Sequence, residues 1–158
     1  MGKVALVAGH NKYTGARAYD NTDEWLWNMK LLELISAELV KLGHVVYTLT
    51  RNPNVGYTSA MRELARDMKF YGVDAACELH FNSASRTSRG HEYLHWWGSR
   101  KSKRLALSVA KEHQKDFPNS LARGSKGTRT TWFHRWNRKK AYTGNAVSYT
   151  HLTLPTKA

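Results

Sequence analysis

The chain has 158 residues, 41% hydrophobic and 23% charged, which is the size and make-up of one domain with a real core. No stretch approaches the ~18 uninterrupted apolar residues of a membrane helix. The single cysteine, Cys77, excludes an intramolecular disulfide and a cysteine-built metal cluster, and is expected to be a small buried thiol in a strand.

The formal net charge of +13 is unevenly spread, because 13 Lys or Arg between Ser99 and Lys140 face only Glu112 and Asp116, leaving +11 there. Such a field suits a polyanion, either nucleic acid or an anionic cell envelope; the alternative is a solvated basic face with no dedicated partner.

Lys3 to Ala8 (KVALVA), bounded by Gly9, reads as a buried strand. It lacks the long apolar core and small-residue cleavage site of a signal peptide. A polar loop runs from His10 to Asp23. Glu24 to Leu42 then repeats apolar residues at helical spacing (Trp25, Met29, Leu32, Ile35, Leu39, Leu42), with Asn21 as a candidate cap and Gly43 at the left-handed exit. Val45 to Leu49 reads as a second strand, and Asn52 to Tyr57, with Pro53 and Gly56, as a loop. Thr58 to Tyr71 returns to helical spacing through Met61, Leu64, Ala65 and Met68, ending at Gly72.

Asp74 to Phe81 (DAACELHF) predicts a third strand, and Glu92 to Trp97 a fourth, after the polar loop Ser83 to Arg89. Lys101 to Phe117 predicts a third helix with Leu105, Leu107, Val109 and Ala110 on its apolar face. Alternating strands and helices imply an α/β fold, a mostly parallel twisted sheet flanked by helices, in a single domain. Beyond Phe117 the pattern fades into a basic stretch with Trp132 and Trp136. Ser148 to Thr156 (SYTHLTLPT) resembles translated sequencing-adapter sequence. Residues 1–145 are therefore expected to be the domain, incomplete at its C-terminus, and 146–158 a non-native tail; the alternative is a genuine C-terminal strand.

Three potential metal ligands fall at strand and helix ends. His10 follows the first strand, His80 ends the third, and Glu24 opens the first helix. In an open parallel sheet the carboxyl ends of strands face the ligand crevice, so both histidines emerge on one edge. Two histidines, a carboxylate and an open fourth position suit catalytic zinc. Each has a plainer rival: Glu24 stands three residues after Asn21, the spacing of a capping box, and a strand-end histidine is commonly a hydrogen-bonded structural residue.

The ordered set VALVAGH (Val4–His10), Glu24, Thr50–Arg51, Arg62 with Ala65, ELHFNSA (Glu78–Ala84) and GHEYL (Gly90–Leu94) resembles the zinc-dependent N-acetylmuramoyl-L-alanine amidases of the amidase type 3 family. The likeness covers about residues 3 to 116, and its E-L-H-F-N wording is similar to phage lysins. It implies a zinc ion on His10, Glu24 and His80, and cleavage of the amide between the lactyl group of N-acetylmuramic acid and L-alanine. It implies peptidoglycan as substrate and an anionic envelope as partner, and a monomer with no specific nucleic acid is expected. Synthesis in the cytoplasm with action at the cell wall fits, as does a fragment of an exported protein.

The family also implies a catalytic glutamate on a late strand, in an E-x-x-F-like context. After Asp116 the chain contains no Asp or Glu. The general base is therefore unassigned, and zinc binding with very slow hydrolysis is expected. Asn82 is expected to shape the loop beside His80 and Glu92 to face a strand neighbour. His91, His95, His113 and His134 are expected to be surface or structural, and Trp96, Trp97, Trp132 and Trp136 to pack in core or rim. Two rival functions remain: a basic nucleic-acid-binding protein, which leaves the His10, Glu24 and His80 set unexplained, and a zinc-holding wall-binding domain without turnover.

Overall fold

The computed structural model describes residues 1–17, 21–81 and 91–118, together with the backbone of 122–128 and 141–142. Along the chain run β1 (Lys3–Ala8), α1 (Glu24–Lys41), β2 (Val45–Leu49), α2 (Tyr57–Phe70), β3 (Ala75–Leu79), β4 (His91–Trp96), α3 (Arg100–Asp116), β5 (Ala122–Thr128) and β6 (Ala141–Tyr142). Asn82 and the Ser83–Arg89 loop, His134, Trp132, Trp136 and the tail 146–158 lie outside the described residues, as do the side chains of the basic stretch beyond Pro118.

The main sheet has the order β2-β1-β3-β6 and every pairing in it is parallel. β4 and β5 form a second, parallel pair. The α/β fold with a parallel sheet flanked by helices is therefore as the alternation of elements implies.

β1 sits between two partners: Val4 lies opposite Val46 on one side and Ala75 on the other. Its residues alternate between two cores, as the two-residue period of a strand dictates. Ala5 and Val7 join Met61, Leu64 and Met68 of α2 on one face, while Leu6 and Ala8 join Leu32 of α1 and Ala106 of α3 on the other. The chain thus leaves β1 for β2 over one face and returns to β3 over the opposite one. That reversal opens a crevice at the carboxyl ends of β1 and β3.

Helix ends explain the connections. α1 begins at Asp23, whose side chain accepts a hydrogen bond from the Leu26 amide at 3.0 Å. Asn21, the capping candidate, instead adopts a left-handed φ of 63°, so it turns the loop and leaves the cap to Asp23. The helix stops at Gly43, φ 83°, where the amides of Gly43 and His44 return to Val40 and Leu39.

Two apolar assignments shift. Leu42 is 73% exposed, because it is the terminal cap residue beyond the last turn. In α3 the buried positions are Ser102 and Ala106, with Val109 and Ala110 packed beside them, and Leu107 points to solvent. Cys77 is a half-buried thiol packed against the core shared by α1 and α3.

Candidate metal centre

The crevice is built by close approach of two strand ends. The Gly9 amide donates to the Leu79 carbonyl at 2.7 Å, carrying β1 and β3 together just past their last paired residues. A Cβ on Gly9 would stand 2.3 Å from the Leu79 oxygen and 2.5 Å from His80 Nδ1, so only glycine fits. His10 follows with a left-handed φ of 65°, a conformation an L-residue adopts at a cost of about 1–2 kcal/mol. The sharp turn sets its imidazole beside His80, ring centroids 5.0 Å apart and nearly perpendicular.

Glu24, in the first turn of α1, closes the group and is fully buried. Its Oε2 lies 3.4 Å from His10 Nε2 and accepts from the Ala16 amide at 2.7 Å; its Oε1 lies 3.2 Å from His80 Nδ1 and accepts from the Phe81 amide at 2.7 Å. It does not reach back to Asn21, so the capping-box alternative does not describe it. One turn further along the same helix row, buried Asn28 donates to the Leu79 carbonyl at 2.9 Å and ties α1 to the end of β3.

Behind His80 stands a second charged layer. His80 Nε2 lies 3.2 Å from Glu78 Oε1, and Arg51, just past β2, pairs with the same oxygen. Arg51 and Glu78 are 7% and 4% exposed, and the Tyr57 ring lies over the guanidinium at 5.1 Å. The Arg51 Nε has no hydrogen-bond partner among the described residues.

Electrostatics follow from these contacts. Burial works against ionisation of Glu24, but the His80 hydrogen bond, the two backbone amides and His10 outweigh it and hold the carboxyl below its usual range. Burial likewise opposes charge on Glu78, yet His80 and Arg51 bring its carboxyl down to about 2. Burial lowers His80, but the Glu78 and Glu24 carboxylates prevail and raise it to about 9. For His10 burial prevails over Glu24 and the imidazole is pushed down.

His10, Glu24 and His80 each offer a ligand atom, all within 4.8 Å of one another, and are the one such group among the described residues. Tetrahedral zinc with bonds of about 2.0–2.1 Å places adjacent ligands about 3.3–3.4 Å apart. The two carboxylate–imidazole spacings, 3.4 Å from Oε2 to His10 and 3.2 Å from Oε1 to His80, are of that size but run to different oxygens of Glu24, so the carboxylate bridges the two imidazoles. Two imidazole nitrogens and one carboxylate also form a donor set that leaves a fourth tetrahedral position free. The residues present can hold such an ion.

Other expected residues stand apart. Glu92 is half-buried on β4, outside the group. His91 and His95 are buried on that strand, His95 with Nδ1 3.0 Å from the Trp96 carbonyl. His113 of α3 meets the Tyr93 hydroxyl. Trp96 is half-buried and Trp97 is 55% exposed. The sequence reading gave no role to Asn28, Arg51 or Glu78. The first has a signal, since Glu24, Asn28 and Leu32 fall four apart on one helix row; the others are joined across 27 residues by folding alone.

Solved structures share the fold. The catalytic domain of an endolysin targeting Clostridia difficile is 20% identical, with 90% of this chain and 79% of that one covered, at a TM-score of 0.78. An N-acetylmuramoyl-L-alanine amidase of Nostoc punctiforme is 16% identical over 94% of this chain and 79% of its own, TM-score 0.78. The apo form of the N-acetylmuramyl-L-alanine amidase of Mycobacterium abscessus is 15% identical over 92% and 82%, TM-score 0.77. No curated protein matches the chain in sequence. A family model described as N-acetylmuramoyl-L-alanine amidase matches residues 4–146, nearly the whole length, and the chain belongs to that family.

Proposed function

We infer that the chain is a zinc-dependent peptidoglycan amidase domain, spanning about residues 1–145, directed at the amide between N-acetylmuramic acid and L-alanine. The observation that carries this reading is the convergence of His10, Glu24 and His80 at the crevice between β1 and β3, in a chain of the amidase family. A zinc ion held there supplies a Lewis acid for the scissile carbonyl and lowers the pKa of its water to roughly 7.

The protein's own residues do the rest of the positioning. The Ala16 and Phe81 amides hold both oxygens of Glu24, so the carboxylate is aimed before any ligand arrives. The missing Cβ of Gly9 lets His80 lie against β1. The His10 side chain is 34% exposed and that of His80 21%, whereas Glu24 is fully covered, so the set is open to substrate from the histidine side. Trp27 and Phe81 pack against each other with ring centroids 5.6 Å apart, beside the point where the Phe81 amide meets Glu24.

Zinc content measured together with dye release from labelled peptidoglycan tests the reading. One zinc per chain, lost in His80→Ala, with release above a metal-stripped control is expected. A protein that takes up no zinc overturns it. Zinc without any release favours the wall-binding alternative, which the lack of Asp or Glu beyond Asp116 keeps open.

A further inference from the structure

The His80 ring lies between two carboxylates on opposite edges. Nδ1 faces Glu24 Oε1 at 3.2 Å, and Nε2 faces Glu78 Oε1 at 3.2 Å. A neutral imidazole that gives Nδ1 to a metal must carry its proton on Nε2 and needs an acceptor there. Arg51, also 3.2 Å from Nε2, has only donors and cannot serve. Glu78 can.

The placement of Glu78 follows from strand parity. It shares the α2 side of β3 with Ala76, while Cys77 and Leu79 join the core of the opposite face. A carboxylate 4% exposed on that side would be an uncompensated buried charge without a partner. Arg51, delivered by the end of β2 and capped by Tyr57, neutralises it. Because Glu78 meets the far edge of the ring, it stands behind His80 and away from the donors of His10 and Glu24.

We propose that Glu78 is a positioning residue: pinned by Arg51, it accepts the Nε2 proton of His80 and fixes the ring with Nδ1 turned toward Glu24 and His10. The proposal rests on reading His10, Glu24 and His80 as the metal set. Its general precedent is that outer carboxylates which orient ligating histidines change metal affinity by about 10–100-fold when removed.

The test uses the purified 158-residue chain and zinc alone, with affinity read by competition against a chromophoric chelator. Single removal of Glu78 leaves the Arg51 charge buried, so the variant is the double Arg51→Met/Glu78→Leu, which replaces both partners with apolar groups of similar volume and is expected to fold. Its zinc affinity should fall about 10–100-fold with unchanged far-UV circular dichroism. Affinity within twofold of the parent in a folded double variant overturns the proposal. Should that variant not fold, the zinc-loaded parent decides, through long-range ¹H–¹⁵N correlations of His80 assigned by their absence from His80→Gln. Protonation at Nε2 with the metal on Nδ1 supports the proposal, and the reverse arrangement overturns it. A parent that takes up no zinc sinks the metal reading and this proposal together, whereas a parent that binds zinc beside an unaffected double variant sinks this proposal alone.

Discussion

Gly9 has room for a hydrogen and nothing larger. In Gly9→Ala the new methyl meets a backbone oxygen at 2.3 Å and the His80 ring at 2.5 Å, and the oxygen is fixed by two donors, the Gly9 amide and Asn28. The ring must move, so zinc affinity is expected to fall at least tenfold alongside a loss of about 1–3 kcal/mol from overpacking. Urea unfolding of the metal-free variant and chelator competition check the two effects separately; an unchanged zinc affinity would mean His80 is not held where the structure puts it. Glu24→Ala acts differently, since it opens space and strands two half-buried amides, those of Ala16 and Phe81. It should abolish zinc uptake and cost about 1–3 kcal/mol even without metal, measurable by the same titration. Strand-end and helix-start positions made His10, Glu24 and His80 candidates in the sequence, but each kept a plainer rival there, and only the likeness to the amidases joined them into one set. Asn28 and Glu78 were not legible there. Their roles depend on Leu79 and Arg51, which are 51 and 27 residues away and come into reach only when β1, β2 and β3 align.

The apolar period fixed all three helices to within about one residue at each end, because Trp25, Met29, Leu32, Met61, Leu64 and Met68 do face the cores. Where the reading failed, size misled: Leu107 of α3 was counted inward as a large apolar residue, yet small Ser102 and Ala106 meet the sheet and leave it exposed. The cap of α1 failed for a backbone reason, since Asn21 is spent on a left-handed turn. The exit of that helix allows a clean measurement. An added Cβ on Gly43 meets nothing within 4 Å, so Gly43→Ala isolates the cost of φ 83°. About 1–2 kcal/mol should be lost in urea unfolding with zinc affinity unchanged, and an equally stable variant would contradict the left-handed exit.

The packing of β4 on α3 carries a pH dependence. His91 and His113 have rings 4.3 Å apart, with Tyr93, Phe117 and Asp116 around them. Burial pushes both imidazoles below their usual 6.5; for His113 the His91 charge lowers it further and Asp116 partly opposes this. A histidine depressed in the folded state binds fewer protons than in the unfolded one, so the pair costs nothing well above pH 6.5 and destabilises increasingly below it. His113→Gln keeps an acceptor for the Tyr93 hydroxyl but takes up no proton. It should lose less stability than the parent between pH 7.5 and 5.5; equal losses would sink the idea.

For the whole molecule, charge and chemistry point at the same target but are carried by different residues. Arg100, Lys101, Lys103, Arg104, Lys111 and Lys115 of α3 are exposed against only Glu112 and Asp116, and Lys115 is engaged by Glu112. The remaining bases form a field that should hold the chain to anionic envelopes and weaken as salt screens it over ~8 Å at physiological strength. Pelleting with cell walls across a salt series reads this, and binding flat with salt would reduce the basic stretch to a solvated face. Turnover is a separate matter, because under the proposed function a further group would have to take a proton from water beside His10, Glu24 and His80. Glu24 is committed to two imidazoles and two amides, Glu78 to His80 and Arg51, Asp23 to the start of α1, and Glu63 to Asn52. Glu92 stands on β4, outside the group, and no acid follows Asp116. A general base typically contributes ~10²–10⁴-fold in rate. The 158-residue chain is therefore expected to bind one zinc and release dye from labelled peptidoglycan that much more slowly, per bound zinc, than an amidase with its general base. Rates matching such an enzyme would show that an acid assigned here to structure, or one outside the described residues such as Asp20, reaches the water after all.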